Sequence, residues 1–110
     1  MTAYAVATLR NLDMNHEIED YLRRIDATLD DHGGRFLVHG QTAEEIEGQW
    51  HGVLILLEFP DMARLKAWYA SPGYQAILGH RTRNSEGEVA FVAGVPEGYR
   101  AAQFADRMFG

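Results

Sequence analysis

The stretch GGRFLVHG, residues 33 to 40, joins a helix stop to the start of a strand. A glycine that directly follows a helical pattern ends the helix by adopting a positive φ, and we predict this conformation for Gly33. The next five residues have the composition of a short strand. Alternation of side chains then predicts two faces, with Arg35, Leu37 and His39 on one and Phe36 and Val38 on the other.

Helical patterns lie on both sides of this stretch. Apolar residues recur at helical spacing from Met14 to His32, and either Asp13 or Asn15 is placed to cap the start of that helix. A second helix is predicted after Asp61. Pro72 interrupts it, and because Pro fits the first turn of a helix and Ser is a good cap, we predict a new short helix starting at Ser71.

Three further strands are predicted, over residues 4–9, 53–59 and 89–95. A polar, glycine-containing connection (residues 41–52) joins the second strand to the third, and a polar loop (residues 79–88) precedes the fourth. The order β-α-β-β-α-β predicts an α+β domain over residues 1–95. Its fold is ferredoxin-like, a four-stranded antiparallel sheet with helices on one face. Residues 96–110 are interpreted as a C-terminal tail with a short helix.

The third and fourth strands are apolar on both sides, although helices cover only one face of such a sheet. The uncovered face therefore needs a partner, and a second copy of the chain is the simplest one. We predict a homodimer in which two sheets pack face to face, a dimeric α/β barrel.

Composition narrows the classes of function. Sixteen acidic residues against ten basic ones give a net charge of −6, which disfavours nucleic acid as a partner. The longest apolar run, residues 53–57, is too short to cross a bilayer, and the N-terminus lacks the pattern of a signal peptide, so we expect a cytoplasmic protein without a membrane partner. The absence of cysteine excludes thiol nucleophiles and thiolate metal sites.

Three motifs in order, GGRFLVHG, EGQWHGVLILLEFP and AWYASPGYQAIL followed by Arg81, resemble a bacterial family known as domain of unknown function thirteen-thirty. The resemblance covers about residues 3 to 95 and implies the ferredoxin-like dimeric α/β-barrel fold. The family has no common established activity. The superfamily includes cofactor-free monooxygenases, muconolactone isomerases, polyketide cyclases and haem-binding enzymes, so the fold alone does not select a reaction.

His39, Glu47 and Arg35 are the candidates for catalysis. A histidine at the end of a strand either completes the strand or moves a proton, and Glu47 is the alternative base. Arg35 pairs with the carboxylate of Glu47 or Glu58, or holds an anion of the ligand. The resemblance implies that position 39 is more often arginine in the family.

The candidates for substrate binding are Tyr69, Ser71, Tyr74, Trp50 and Arg81. Tyr69 and Tyr74 offer phenol groups near a helix break, and Ser71 either caps the new helix or helps to present its N–H groups to an oxyanion. The histidines form no close pair typical of a metal site, and we expect neither a metal nor another cofactor.

These residues predict a cofactor-independent enzyme that transfers a proton on a small carbonyl-bearing or aromatic metabolite, in the manner of an isomerase, cyclase or monooxygenase. In this hypothesis His39 or Glu47 moves the proton, and Arg35 or Tyr69 holds the developing oxyanion. The alternatives are a non-catalytic dimer that binds a small ligand and a structural partner in a larger complex.

Overall fold

A computed structural model describes residues 1 to 110 of the chain, which form four strands and four helices. In chain order these elements are β1 (Ala3–Arg10), α1 (His16–Asp30), β2 (Arg35–His39), β3 (Val53–Phe59), α2 (Met62–Ala70), α3 (Pro72–Thr82), β4 (Glu86–Ala93) and α4 (Ala101–Phe109).

The strands form one antiparallel sheet in the order β2-β3-β1-β4. This order places β3 between β1 and β2, as a split βαβ unit requires, and it confirms the predicted ferredoxin-like α+β fold. Buried side chains of α1, α2 and α3 pack on one face of the sheet, around the fully buried Phe59, Leu29, Leu65 and Ile77.

Asn15, rather than Asp13, caps α1: its side-chain oxygen accepts hydrogen bonds from the backbone N–H groups of Glu17 (3.0 Å) and Ile18 (3.2 Å). Just after the C-terminal end of α1, Gly33 has φ +70°, which confirms the predicted helix stop. The next residue, Gly34, donates its backbone N–H to the carbonyl of Leu29 at 3.1 Å. Of the two glycines, only Gly33 adopts the positive φ that ends the helix.

Ser71 separates α2 from α3, as predicted. Its hydroxyl donates to the carbonyl of Trp68 (2.7 Å) at the end of α2 and accepts from the N–H of Tyr74 (3.3 Å) in the first turn of α3. One side chain therefore ends one helix and begins the next, which turns α3 alongside α1.

The predicted loop over residues 79–88 is wrong, because α3 continues to Thr82 and β4 already begins at Glu86. Glu86 and Glu88 can lie at the start of this strand because polar side chains on β1 and just after it donate hydrogen bonds to their carboxylates. The carboxylate of Glu88 accepts hydrogen bonds from Thr8 (3.0 Å) and from Arg10 (2.8 and 3.0 Å). β4 also ends at Ala93, two residues before the predicted end.

His80, within the segment predicted as a loop, is partly buried. The residue lies in α3, where its Nε2 is 3.0 Å from a carboxylate oxygen of Asp20 and its Nδ1 is 3.3 Å from one of Glu17. These contacts link α3 to α1.

The predicted faces of β2 are wrong because a β-bulge at Leu37 interrupts the alternation. Phe36 pairs with Leu57 and His39 with Ile55, so both rings lie on the helix-covered face of the sheet. Arg35 points to the opposite, open face.

That open face is apolar along the central strands, where Val6, Leu54 and Leu56 stand in neighbouring positions without a helix over them. After β4 the chain leaves the sheet, and every residue of α4 is exposed. None of the helices combines the length and apolar character needed to cross a membrane.

Candidate active site

A cleft opens between the helix-covered face of the sheet and the pair α1 and α3. It consists of two adjoining cavities of about 40 and 280 Å³ that share four lining residues, Tyr21, Ile55, His39 and Arg81. The walls are otherwise almost entirely apolar and include Ala5, Ala7, Ile25, Phe36, Leu57, Trp68, Tyr69, Tyr74 and Val89 on the smaller side and Leu9, Leu12, Met14, Ile18, Leu22, Gly40 and Val53 on the larger.

His39 stands at the sheet side of the cleft. The bulge at Leu37 turns its ring onto Phe36, with the two ring centres 4.3 Å apart and the planes 14° from parallel. Although His39 is an exposed residue, partial desolvation of its ring lowers the pKa of the imidazole from its ordinary value of 6.5, and the nearby Asp26 carboxylate opposes this only in part. His39 is therefore neutral at pH 7 and able to accept a proton.

Two tyrosine hydroxyls meet on the helix side. The hydroxyl oxygens of Tyr21 in α1 and Tyr74 in α3 are 2.9 Å apart and share a hydrogen bond. Only one of the two protons is used in that bond, so the other remains available to an acceptor in the cleft. Burial, reinforced by Tyr74, raises the pKa of Tyr21, and its hydroxyl therefore remains a donor.

Arg81 lies in the last turn of α3, beside these hydroxyls. Burial would lower the pKa of its guanidinium, but the oxygens of Tyr74 and Tyr21 outweigh that effect and the pKa is raised. The group is permanently charged in an otherwise apolar wall. The cleft thus holds a neutral base, a hydroxyl donor and a cation.

The structure brings four of the sequence-predicted residues together here: His39, Tyr69, Tyr74 and Arg81. Tyr69 contributes an aromatic wall, with its ring 5.5 Å from those of Tyr74 and Phe91.

The other four predicted residues line neither cavity. Arg35 lies on the open face, where its Nε donates to Glu58 at 2.9 Å, which is one of the two carboxylate pairings that the sequence left open. Ser71 is occupied as the cap between α2 and α3. Glu47 and Trp50 lie in the connection between β2 and β3, in which every residue is exposed.

Sequence reasoning missed Tyr21 and Phe36 as site residues. Tyr21 was counted in the apolar stripe of the first helix, although a buried tyrosine hydroxyl needs a hydrogen-bond partner and this requirement was a usable signal. Phe36 was placed on the face opposite His39, and nothing in a single sequence indicates the bulge that reverses this. No cluster of three or more His, Asp or Glu side chains is arranged to hold a metal ion.

Several solved structures share this fold. A protein of unknown function from Rhodopseudomonas palustris aligns over 86% of this chain and 83% of its own with TM-score 0.65 and 15% identity. A dimeric ferredoxin-like protein of unknown function from Jannaschia sp. aligns over 86% and 100% with TM-score 0.59 and 16% identity. SnoaB, a cofactor-independent oxygenase from Streptomyces nogalater, aligns over 90% and 96% with TM-score 0.53 and 16% identity. At these identities the likeness concerns the fold.

No curated protein matches the chain in sequence. A family model does match, that of the domain of unknown function DUF1330, and it covers residues 2–95. The match includes every strand and every residue that lines the cleft, and it ends before α4. The chain therefore belongs to the DUF1330 family, which is the family that the three sequence motifs resemble.

Proposed function

We propose that the protein is a small-molecule enzyme that works without a cofactor and moves a proton on a carbonyl-bearing or aromatic metabolite bound in the cleft. The observation that carries the proposal is the position of His39, a neutral imidazole held at the wall of an apolar cavity opposite hydroxyl donors. Of the two bases suggested by the sequence, His39 lines the cleft, whereas Glu47 lies in the exposed connection. We assign the base to His39.

The proposed step starts with a substrate carbon that bears a proton next to a carbonyl group. His39 takes this proton, the C–H electron pair moves toward the carbonyl, and the oxygen becomes an enolate oxyanion. The free hydroxyl proton of the Tyr21–Tyr74 pair donates to that oxyanion. Where the substrate carries a double bond between its β and γ carbons, the product of this step is a dienolate, and return of the proton from His39 to the γ carbon completes an isomerisation. With a phenol as substrate, the same base takes the O–H proton.

The size and walls of the cleft agree with such a ligand. The larger cavity, about 280 Å³, is near the lower end of the range for small-molecule sites. Aromatic side chains on the smaller side, among them Trp68 and Tyr69, make the inner end of the cleft apolar. The structural likeness to SnoaB, a cofactor-independent oxygenase, supports an enzyme of this fold that works without a cofactor.

We also propose that the protein is a homodimer joined through the open faces of two sheets. This face carries apolar side chains in the middle of the sheet, including Val6, Leu54 and Leu56, and no element of the same chain covers them. The Jannaschia relative in fold is described as dimeric, which supports the proposal. Sedimentation equilibrium at micromolar concentration should give the dimer mass for the wild type and the monomer mass for Leu56→Glu; a monomeric wild type contradicts the arrangement.

Deuterium exchange tests the proposed activity without knowledge of the product. Small oxo acids, ketones and phenols are first screened for an increase in the melting temperature of the protein. The compounds that bind are then incubated with it in D₂O, and loss of the proton next to the carbonyl is followed by NMR. The wild type should exchange at least one of them faster than buffer does.

His39→Gln should slow the exchange by about a hundredfold or more, the usual effect of losing a general base. His51→Gln is the matched control, because His51 is an exposed histidine that lines neither cavity. Equal exchange by His39→Gln and the wild type would remove the catalytic role of His39. Tight binding with no exchange by the wild type would favour the non-catalytic binding protein instead.

A further inference from the structure

Arg81 differs from the other basic residues in its electrostatic surroundings. Six arginines form ion pairs with carboxylates: Arg10, Arg23, Arg24, Arg35, Arg64 and Arg83. Of the remaining basic residues, three are exposed: Lys66, Arg100 and Arg107. Arg81 alone is both partly buried and without a carboxylate partner.

This lack of a partner is unexpected in so acidic a chain. The protein has sixteen acidic residues against ten basic ones, and α1, which packs beside α3, carries several of them. Glu17 and Asp20 on α1 contact His80, the immediate neighbour of Arg81, but neither pairs with Arg81 itself. A partly desolvated guanidinium without a counter-ion destabilises a fold, and its retention in the wall of a cavity indicates a counter-ion that comes from the ligand.

The groups around Arg81 suit a carboxylate in particular. A guanidinium offers parallel N–H donors that match the two oxygens of a carboxylate. The unused hydroxyl proton of the Tyr21–Tyr74 pair supplies a further donor on the same side of the cleft, and no acidic side chain lines either cavity to repel an anion.

We propose that Arg81 is a substrate-binding residue that holds a carboxylate, so that the substrates of this site are small organic acids. The inference rests on the proposed function for the location of the site and adds the class of substrate. It also orients the ligand: the carboxylate lies at the α3 side, and the reacting carbonyl or ring lies toward His39 on β2. A 2-oxo acid and a hydroxylated aromatic acid both carry a carboxylate together with a carbonyl or phenol group.

Paired probes test the charge of the ligand. Benzoate is compared with benzamide, and phenylpyruvate with its primary amide, because each neutral partner closely matches the acid in shape and lacks its negative charge. Isothermal titration calorimetry should show that the wild type binds at least one acid at least tenfold more tightly than its neutral counterpart. Equal affinity within both pairs would overturn the proposal.

Arg81→Met keeps an unbranched apolar stem and removes the guanidinium and its charge, and it should bring the acid down to the affinity of the neutral probe. Lys66→Met is the matched control, since it removes the same charge from an exposed site outside the cleft and should leave the affinity unchanged. Arg81→Lys should fall between the two. Without ligand, Arg81→Met should melt at the same temperature as the wild type or higher. A lower melting temperature with unchanged acid affinity would show that Arg81 is a structural residue.

The two proposals fail in different ways. If acids bind through Arg81 but none exchanges deuterium, the carboxylate site stands and the proton-transfer activity fails. If neutral ketones exchange as fast as acids and Arg81→Met has no effect, the activity stands and the carboxylate site fails.

Discussion

Gly34→Ala is expected to be the most damaging single-methyl change in the connection between α1 and β2. A Cβ atom at Gly34 would lie 2.5 and 2.7 Å from two ring carbons of Phe59 and 2.9 Å from a methyl group of Leu29. Both neighbours are buried in the core, with 0% and 2% of their surfaces exposed. Neither can swing out of the way, so the added methyl group must displace the core itself.

Alanine substitutions at Gly33 and Gly48 give reference values for the loss of stability expected from Gly34→Ala. Overpacking a well-filled core costs about 1 to 3 kcal/mol, and three contacts below 3.0 Å place Gly34→Ala at the upper end, about 3 kcal/mol. At Gly33 the backbone has φ +70° but the new Cβ would approach only the ring of Pro60, at 3.0 Å, so the cost is about 1 to 2 kcal/mol. Gly48 has φ +68° with open space around it, and its alanine variant isolates the backbone cost of about 1 kcal/mol.

Urea unfolding followed by circular dichroism measures these differences. All variants are compared at one protein concentration, since dimerisation adds to apparent stability. The free energy of unfolding should fall in the order Gly48→Ala, Gly33→Ala, Gly34→Ala, from least to most destabilised. Combining Gly34→Ala with Phe59→Leu should cost less than the sum of the two single changes, because Phe59→Leu removes the ring carbons with which the new methyl group clashes. Additive costs, or a Gly34→Ala variant no less stable than Gly33→Ala, would refute the close-approach argument.

Three further changes probe the supports of the cleft. Hydrogen bonds from Arg83 and Asn84 lower the pKa of Glu17 to about 2. The stability that the Glu17 carboxylate contributes is therefore complete above about pH 4.5 and disappears as the pH falls toward 2. The difference in melting temperature between wild type and Glu17→Gln should shrink over that window. Tyr74→Phe removes the partner of the Tyr21 hydroxyl and should cost about 1 kcal/mol in urea unfolding. Ser71→Ala should also cost about 1 kcal/mol, yet calorimetry should show unchanged ligand affinity because the serine only caps helices.

Local chemistry allowed the fold to be predicted. Gly33 ends a helix because a positive φ is needed there, and Ser71 with Pro72 starts one because their side chains suit a helix start. The apolar runs defined β1 and β3 to within a residue. β4 was placed three residues late because Glu86 and Glu88 look like loop residues until their partners on and after β1, Arg10 among them, are known. Pairing between distant strands is not visible in a local pattern.

The site was predicted only in part for the same reason. His39 was identified, but the bulge at Leu37, a property of the pairing with β3, decides that its ring shares a face with Phe36 and not with Arg35. The depth at which Arg81 lies depends on α3 continuing beyond residue 79, where the sequence indicated a loop. Without cysteine, composition left His, carboxylates, Arg, Tyr and Ser for the chemistry of the site, and of these only His, Arg and Tyr line the cleft.

NMR titration of the histidine side chains tests the central claim, that the cleft beside His39 is the functional site, most directly. The five imidazole signals are assigned with single His→Gln variants and followed against pH with and without an acid selected by its binding. We predict that His39 titrates below its ordinary value of 6.5 in the free protein. A bound acid should move its signal while those of the exposed His16 and His51 stay in place. A His39 signal that titrates normally and ignores every bound ligand would contradict the account.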